Sequence, residues 1–139
     1  YLEELQSLAV SLGLEKRVTF TGGQADIAPF YAMSDVIVSA SMQPEAFGRV
    51  AIEAGAMKKP VVATAHGGSL ETVKASETGF LVKAGDVPTM AKILRGFLKD
   101  NTLCEKMGSK AYTWVKKSFT VKRMCEAEWE AYLKVLGEK

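Results

Sequence analysis

Two glutamates, Glu45 and Glu53, stand eight positions apart with Phe47 and Gly48 between them. Carboxylates accept hydrogen bonds from hydroxyl groups and can stabilise developing positive charge, so such a pair could bind a polar ligand or take part in catalysis. The same spacing also arises by chance between two solvated charges at the ends of a helix. The elements around the pair decide between these alternatives.

The segment that carries the two glutamates is predicted to run from a strand through a loop into a helix. The residues from Asp35 to Ala40 predict a buried strand, and a helix is expected from about Phe47 to Met57. Gly48 would let a ligand approach the amides that open the helix, where free N–H groups and the helix dipole favour phosphate. Glu53 lies roughly 7 Å further along the axis at a rise of about 1.5 Å per residue, which is near the distance between the diphosphate and the ribose of a nucleotide. The pattern therefore predicts phosphate near Gly48, ribose at Glu53, and Glu45 beside the phosphate.

The composition is that of one globular domain. The chain has 139 residues, of which 47% are hydrophobic and 24% are charged, and its net charge of +2 gives no sign of a nucleic-acid partner. No apolar stretch approaches the roughly 18 residues of a membrane span, and no signal-peptide pattern opens the sequence. Cys104 and Cys125 lie far apart without the spacing of metal ligands. We therefore expect reduced core thiols in a cytosolic protein and no metal site.

Short apolar strands alternate with helices along the chain, and this order predicts parallel strands joined by right-handed crossovers. We therefore expect an α/β, Rossmann-like doubly wound layer with helices on both faces of the sheet. The further predicted strands are residues 17–21, 60–64 and 78–82, and the further short helices are 2–12, ending at Gly13, 26–33 and 70–74. Three long helices complete the chain, with apolar stripes expected to face the core: Met90, Ile93, Leu94 and Phe97; Leu103, Met107, Ala111 and Trp114; and Val121, Cys125, Trp129, Tyr132 and Leu136.

Three polar or glycine-rich loops follow predicted strands, at residues 21–24, 41–47 and 64–68. Ligands of parallel sheets bind beyond the carboxyl ends of the strands. Because all three loops follow strands, we expect them to converge on one site at one edge of the sheet.

Six segments, in this order, resemble the C-terminal, donor-binding domain of GT-B glycosyltransferases of the retaining family 4 type. They are Val18-Thr19-Phe20-Thr21-Gly22, Phe30 to Val36, Glu45 to Glu53, Pro60 to Thr64, Gly67-Gly68 with Glu71, and Thr78 to Val82 followed by Gly85-Asp86. The third segment carries the two glutamates, with seven residues between them, that mark this family. Each segment alone is a weak signal, but their order is specific. The resemblance covers nearly the whole chain and implies the C-terminal half of a GT-B fold.

The resemblance also implies a role for each matching residue in binding a nucleotide-diphosphate sugar. Glu45 would be the catalytic carboxylate beside the sugar and the phosphates. The donor-binding residues would form three groups. Gln24, just after the turn at Gly22 and Gly23, would lie by the nucleobase. The diphosphate would be held by the amides near Phe47, Gly48, Arg49 and Val50, and the ribose by Glu53. His66, Gly67 and Glu71 are further candidates, although His66 could be purely structural and Glu71 could equally cap a short helix.

The implied chemistry is transfer of a sugar from a UDP- or GDP-sugar to a glycan or lipid-linked acceptor, without a metal ion or other cofactor. Retaining transfer passes through an oxocarbenium-like centre, which suits a carboxylate and fixed dipoles. Residues 39–72 are most similar to bacterial surface-polysaccharide and lipopolysaccharide-core transferases. The expected location is the cytoplasm, with the inner face of the membrane as an alternative.

A basic cluster could contribute to such a peripheral membrane contact. It consists of Lys116, Lys117, Lys122 and Arg123 on either side of Phe119. A solvated helix junction is the favoured interpretation, because Glu126 and Glu128 lie close by in the sequence.

The chain departs from the family pattern in two places. Lys58 occupies a position that is usually glycine, which concerns how the helix after Glu53 ends. The family's first two strands, and the phosphate-binding Arg and Lys that follow the first of them, have no counterpart before Tyr1. We therefore expect a fragment whose sheet lacks the two strands next to residues 17–21, unless another segment or chain supplies them or the sheet re-pairs. The acceptor-binding N-terminal domain is expected to be missing too, so that the chain alone would be inactive.

One other function stays open, that of a nucleotide-sugar-binding module without turnover, which predicts the same site. A dinucleotide-binding oxidoreductase domain fits poorly. The segment Thr21 to Asp26 lacks the G-x-G-x-x-G pattern, and no acidic residue follows at the required distance on a second strand.

Overall fold

The computed structural model describes residues 1–137 and contains a three-stranded parallel sheet with helices on both faces. The strands are β1 (Ile37–Ser39), β2 (Val61–Thr64) and β3 (Gly79–Val82), in the order β1-β2-β3. The helices are α1 (Leu2–Ser11), α2 (Ala28–Met33), α3 (Arg49–Ala56), α4 (Ser69–Thr72), α5 (Val87–Lys99), α6 (Asn101–Ser118) and α7 (Val121–Leu136). This arrangement confirms the predicted α/β fold.

The centre of the sheet is β2, whose four residues are all buried. Successive side chains of a strand point to opposite faces, so Val61 and Val62 belong to different core clusters. Val61 lies in a cluster with Tyr31 of α2 and residues of α3. Val62 lies in a cluster with Phe97 of α5 and Met107 of α6. Helices therefore cover both faces, and the stripes predicted for α5 and α6 do contribute to the core.

The C-terminal end of α3 packs against α6 at Gly108. A Cβ atom on Gly108 would lie 2.0 Å from the carbonyl oxygen of Lys58, so only glycine fits there. Lys58 itself has a φ of 57°, the left-handed conformation that glycine adopts most easily just after a helix. The backbone thus explains why glycine is usual at the position of Lys58 in the family that this sequence resembles.

The prediction of a strand at residues 17–21 is wrong, because this segment forms no strand in the structure. A strand is stabilised by hydrogen bonds to a neighbouring strand, and nothing within residues 1–137 pairs with this segment. Val18 and Phe20 are 39% and 38% exposed. The sheet in the described part of the chain therefore has three strands where four were predicted, and β1 lies at its edge.

The core stripe predicted for α7 is also wrong. No residue of α7 is buried, and Trp129 and Leu136 are 63% and 71% exposed. The apolar spacing is helical, but the helix packs too little against the rest of residues 1–137 to cover these side chains. Cys125 lies on this helix and is exposed, so it is not the core thiol that we expected. Cys104 is partly buried on α6, and this burial raises the pKa of its thiol.

Candidate functional site

The candidate site lies where β1 and β2 end, between the loops that follow them. The carbonyl oxygen of Ser41, in the first loop, accepts hydrogen bonds from Thr64 Oγ1 at 2.8 Å and from the His66 ring at 2.9 Å. The amide of Gly68 donates to the carbonyl oxygen of Glu45 at 2.8 Å. Two of the three predicted loops therefore do meet at the carboxyl edge of the sheet.

Two glycines of the second loop bring it into direct backbone contact with the first. A Cβ on Gly67 would lie 2.3 Å from the Glu45 carbonyl oxygen, and a Cβ on Gly68 would lie 2.2 Å from the carbonyl carbon of Phe47. Real side chains do not come so close to backbone atoms, so both positions require glycine. The position of Glu45 is thus fixed partly by the loop after β2.

Gly48 precedes α3 and has a φ of 75° and a ψ of 48°, the left-handed conformation. A Cβ there would be 3.1 Å from Thr72 Oγ1 and 3.2 Å from the amide nitrogen of Ser69. Glycine therefore suits both the dihedral angles and the narrow space. Because glycine has no side chain to cap the helix, the first amides of α3, at Arg49 and Val50, remain available to an anion.

Glu45 is half-buried in a small cavity at this edge of the sheet. The hydroxyl of Ser39 donates to its Oε1 at 3.4 Å. The cavity has a volume of about 10 Å³, room for about one water molecule, and Gly48 and His66 also line it. Glu45 therefore shares this cavity with Gly48, the residue that precedes α3.

Glu53 is held in place by two protein donors. Its Oε2 accepts from the hydroxyl of Tyr31 at 2.9 Å, and its Oε1 accepts from Arg49 Nη2 at 2.9 Å. Burial of Tyr31, together with its hydrogen bond to Glu53, raises the pKa of its phenol to about 12, so the hydroxyl stays protonated as a donor. The Glu53 side chain is 33% exposed, and a carboxylate has about four acceptor positions. The two bonds therefore orient Glu53 without using all of its capacity to accept hydrogen bonds.

The loop at residues 21–24 is not brought to this cavity. Gly22, Gly23 and Gln24 are absent from its lining, and the amide of Gln24 donates back to the carbonyl oxygen of Thr21. A Cβ atom on Gly22 or Gly23 would meet nothing within 4 Å apart from its own chain neighbours. The roles predicted for these three residues at the nucleobase end stay predictions.

Two other predicted residues lie near the site without lining the cavity. Phe47 is 53% exposed, and its ring makes an edge-to-face contact with Phe119, with centroids 6.1 Å apart. Glu71 is exposed in the first turn of α4, and its side chain makes no hydrogen bond within residues 1–137. The proposed capping role of Glu71 is therefore not observed there.

Four hydroxyl side chains that were not predicted as site residues also line the cavity: Ser39, Ser41, Thr64 and Ser69. Each stands at or just beyond the end of a strand or at the start of a helix. The sequence did contain a signal for them, because a polar residue at the carboxyl end of a parallel strand lies at the edge where ligands bind. The donor role of Tyr31 had no such signal, because an aromatic residue in a short helix indicates burial of its ring and not a hydrogen bond to Glu53.

None of the helices in residues 1–137 is both long and apolar enough to cross a membrane. Within the same residues, His, Cys, Asp and Glu side chains form no cluster of three or more that could hold a metal ion.

Comparison with known proteins assigns the chain to a family. The family model for glycosyl transferases group 1 matches residues 1–114. The lipopolysaccharide core biosynthesis glycosyltransferase LpsE of Rhizobium meliloti is 33% identical over 137 residues, which are 99% of this chain and 39% of the relative. A GDP-mannose-dependent alpha-(1-6)-phosphatidylinositol monomannoside mannosyltransferase of Mycobacterium tuberculosis is 36% identical over 123 residues, which are 83% of this chain and 32% of the relative.

Solved structures agree with this assignment. The crystal structure of Anabaena Alr3699/HepE in complex with UDP matches with a TM-score of 0.89 and 36% identity, over 96% of this chain and 37% of that chain. The same protein has been solved in complex with UDP-glucose. The chain thus spans less than two-fifths of the length of each of these proteins. The match over residues 1–114, together with these relatives, shows that the chain belongs to the group 1 glycosyl transferases, whose fold here is the C-terminal half of GT-B.

Proposed function

We propose that this chain binds a nucleoside-diphosphate sugar and forms the donor-binding part of a glycosyltransferase. The observation that carries the proposal is the uncapped start of α3 at Gly48, with the Glu45 and Glu53 carboxylates on either side of it along the chain. Free helix amides attract the diphosphate, and a preoriented carboxylate suits the ribose. The complexes of Anabaena Alr3699/HepE with UDP and UDP-glucose support this choice of ligand.

In this proposal each protein group binds or stabilises one part of the donor: the diphosphate, the ribose or the sugar. The amides near Arg49 and Val50 hold the diphosphate and stabilise its growing charge as it leaves. Glu53 accepts the ribose hydroxyls through the lone pairs that Tyr31 and Arg49 leave free. Glu45 lies beside the sugar and stabilises an oxocarbenium-like centre in a retaining transfer.

The nucleobase and the acceptor belong to the proposal as well. Uridine is the first choice of nucleobase. Guanosine is the second, because one relative is named as GDP-mannose-dependent. The acceptor is a glycan or lipid-linked saccharide of lipopolysaccharide or surface-polysaccharide synthesis, a choice supported by the name of LpsE. A cytoplasmic location, at or near the inner face of a membrane, fits such an acceptor. The acceptor would bind to the part of a transferase that this chain does not include.

Titration of the isotopically labelled chain with UDP, GDP and UDP-glucose tests the site by chemical-shift mapping. We expect the largest amide shifts at residues 45–53, with a smaller response at residues 65–68. The same titration with uridine, which lacks the diphosphate, should leave the amides of Arg49 and Val50 nearly unshifted. Shifts confined to residues after 86, or equal responses to UDP and uridine, would contradict the proposed site.

A binding module without turnover would give the same map. Activity separates the two functions. A transferase that contains this chain should release UDP or GDP from a donor only when an acceptor is present, apart from slow hydrolysis. Tight donor binding without any transfer, across a range of saccharide acceptors, would favour the module.

A further inference from the structure

His66 is the only histidine of the chain and lies in the loop between β2 and α4. Its Nε2 is 2.9 Å from the carbonyl oxygen of Ser41. A carbonyl oxygen can only accept, so Nε2 must carry the proton and donate, and Nδ1 holds the lone pair in the neutral ring. Nδ1 is buried, and no protein group in residues 1–137 bonds to it. The bond to Ser41 is thus the one polar contact that orients this ring within the described residues.

The Ser41 carbonyl is held by two side chains from the same neighbouring segment. Thr64, the last residue of β2, donates its hydroxyl at 2.8 Å, and His66 donates its ring N–H at 2.9 Å. The hydroxyl of Ser41 in turn donates to the carbonyl oxygen of Gln43 at 2.7 Å. These bonds fix the path of the first half of the loop that leads from β1 to Glu45.

The second half of that loop is held from the same side. Gly68 lies two residues after His66 along the chain, and its amide donates to the carbonyl oxygen of Glu45. Glu45 and His66 also line the same cavity. The segment from Thr64 to Gly68 therefore fixes the Glu45 loop at two points, and His66 shares with Thr64 the point that lies further from Glu45, the Ser41 carbonyl.

We propose that His66 is a positioning residue for Glu45. By donating Nε2–H to the Ser41 carbonyl, it holds the loop after β1 in the conformation that places the Glu45 carboxylate in the cavity. His66 need not touch the sugar or the diphosphate to do this. The proposal rests on the function proposed for Glu45, and the experiments below separate the two.

The first experiment tests the geometry in the 139-residue chain itself. Because the chain has one histidine, its ring nitrogens give an unambiguous pair of signals in a long-range ¹H–¹⁵N spectrum. We expect the proton on Nε2 and a lone pair on Nδ1, and we expect the Ser41 carbonyl ¹³C signal to shift in His66→Ala. The Nδ1–H tautomer, or an unshifted Ser41 carbonyl, would overturn the proposal.

The second experiment tests rescue by a variant that keeps a donor. The side-chain amide of His66→Gln can donate to Ser41, whereas His66→Ala cannot. The amide signals of residues 42–46 should move or broaden in the alanine variant and return towards the wild type in the glutamine variant. Thr113→Val is the matched control, because it removes another side-chain-to-backbone bond, 3.0 Å from Thr113 Oγ1 to the Ser109 carbonyl oxygen, on the exposed face of α6. Equal disturbance by the alanine and glutamine variants would mean that the ring acts by packing alone.

The third experiment measures the consequence for transfer in a transferase that contains this chain. Displacement of a reacting group by about 1 Å can cost on the order of a hundredfold in rate, so we expect His66→Ala to lower kcat by about tenfold to a hundredfold. The KM for the donor should stay within about twofold, and His66→Gln should recover most of kcat. An unchanged kcat in His66→Ala, where Glu45→Ala is impaired, would reject the positioning role and leave the proposed function standing. Absence of donor binding in the wild-type protein would instead reject the proposed function.

Discussion

The hydroxyl of Tyr31 donates a 2.9 Å hydrogen bond to Oε2 of Glu53 and so joins α2 to α3 across 22 positions of the sequence. Arg49 donates a hydrogen bond to the other oxygen of the same carboxylate. Tyr31 is 7% exposed and Arg49 lies on the solvent side, so Glu53 is held between a buried donor and an exposed one. A carboxylate fixed in this way loses little side-chain freedom when a ligand binds.

Tyr31→Phe tests whether this orientation matters for binding. The ring still packs in the core, but Glu53 loses one of its two donors, so we expect UDP affinity to fall by roughly threefold to tenfold. The free energy of unfolding should fall by about 0.5–1.5 kcal/mol. Isothermal titration and thermal melting measure the two effects, with Tyr132→Phe on exposed α7 as the control. A lower melting temperature with unchanged UDP affinity would assign Tyr31 a structural role only.

The raised pKa of Tyr31 predicts a pH dependence of stability. Folding raises this pKa from 10.0 to about 12, so the native state favours the protonated hydroxyl. The corresponding stabilisation is complete below about pH 10 and is lost as the pH rises from 10 to about 12. The difference in unfolding free energy between the wild type and Tyr31→Phe should therefore shrink over this range. Denaturant titrations at about pH 9, 10 and 11, from below this range to its middle, measure the difference, and a constant difference would contradict the prediction.

Glu53→Gln should weaken nucleotide binding more than it alters the fold. An amide offers one acceptor oxygen and a donor that faces Tyr31 or Arg49 unfavourably, so the expected loss for UDP is about 1–3 kcal/mol. Calorimetric titration gives the affinity, and Glu130→Gln on exposed α7 is a control with the same change of charge. Unchanged affinity combined with a lower melting temperature would identify Glu53 as a structural residue.

Glu45→Ala should impair transfer and leave donor binding largely intact. A group that stabilises charge arising only in the transition state contributes little to binding of the ground state. In a transferase containing this chain we expect turnover to fall by at least about tenfold to a hundredfold, with a much smaller change in donor affinity. The 139-residue chain by itself should show no transfer with either residue at position 45. Transfer by this chain alone at the rate of a longer enzyme would refute the assignment of an acceptor site outside it.

The exposure of α7 predicts that its apolar residues contribute little to the stability of this chain. Trp129→Gln should change the melting temperature by no more than about 2 °C, since surface substitutions usually stay within about 0.5 kcal/mol. Phe97→Ala, in the cluster around Val62, should instead cost about 3–5 kcal/mol. Thermal unfolding of both variants checks the contrast. A large loss in Trp129→Gln would mean that α7 packs in solution.

Local sequence was sufficient to predict β2 and α3. Val61–Thr64 is apolar and is followed by polar residues and glycines, and Gly48 marks the start of α3. These signals lie within each element, so no knowledge of distant contacts was needed. The segment at 17–21 failed because a strand exists only with a partner, and its composition does not reveal whether one is present.

The helical period of α7 was predicted correctly and its burial was not. Apolar spacing shows which face of a helix is apolar, whereas burial of that face depends on what packs against it. The same limit applies to the site. The chemistry of Glu45 and Glu53 could be inferred from their context, but the bonds from Tyr31 to Glu53 and from His66 to Ser41 join residues 22 and 25 positions apart. Only the folded arrangement brings these pairs together.

The close contact of Gly67 and Gly68 with the backbone of residues 45–47 has a consequence for engineering. The two loops are complementary in shape to within the volume of one methyl group, so neither can change its path while the other keeps its own. A loop taken from a related transferase to alter donor choice would therefore have to be transplanted together with its counterpart, residues 41–48 with 64–69. The unit of exchange at this edge of the sheet is the pair of loops.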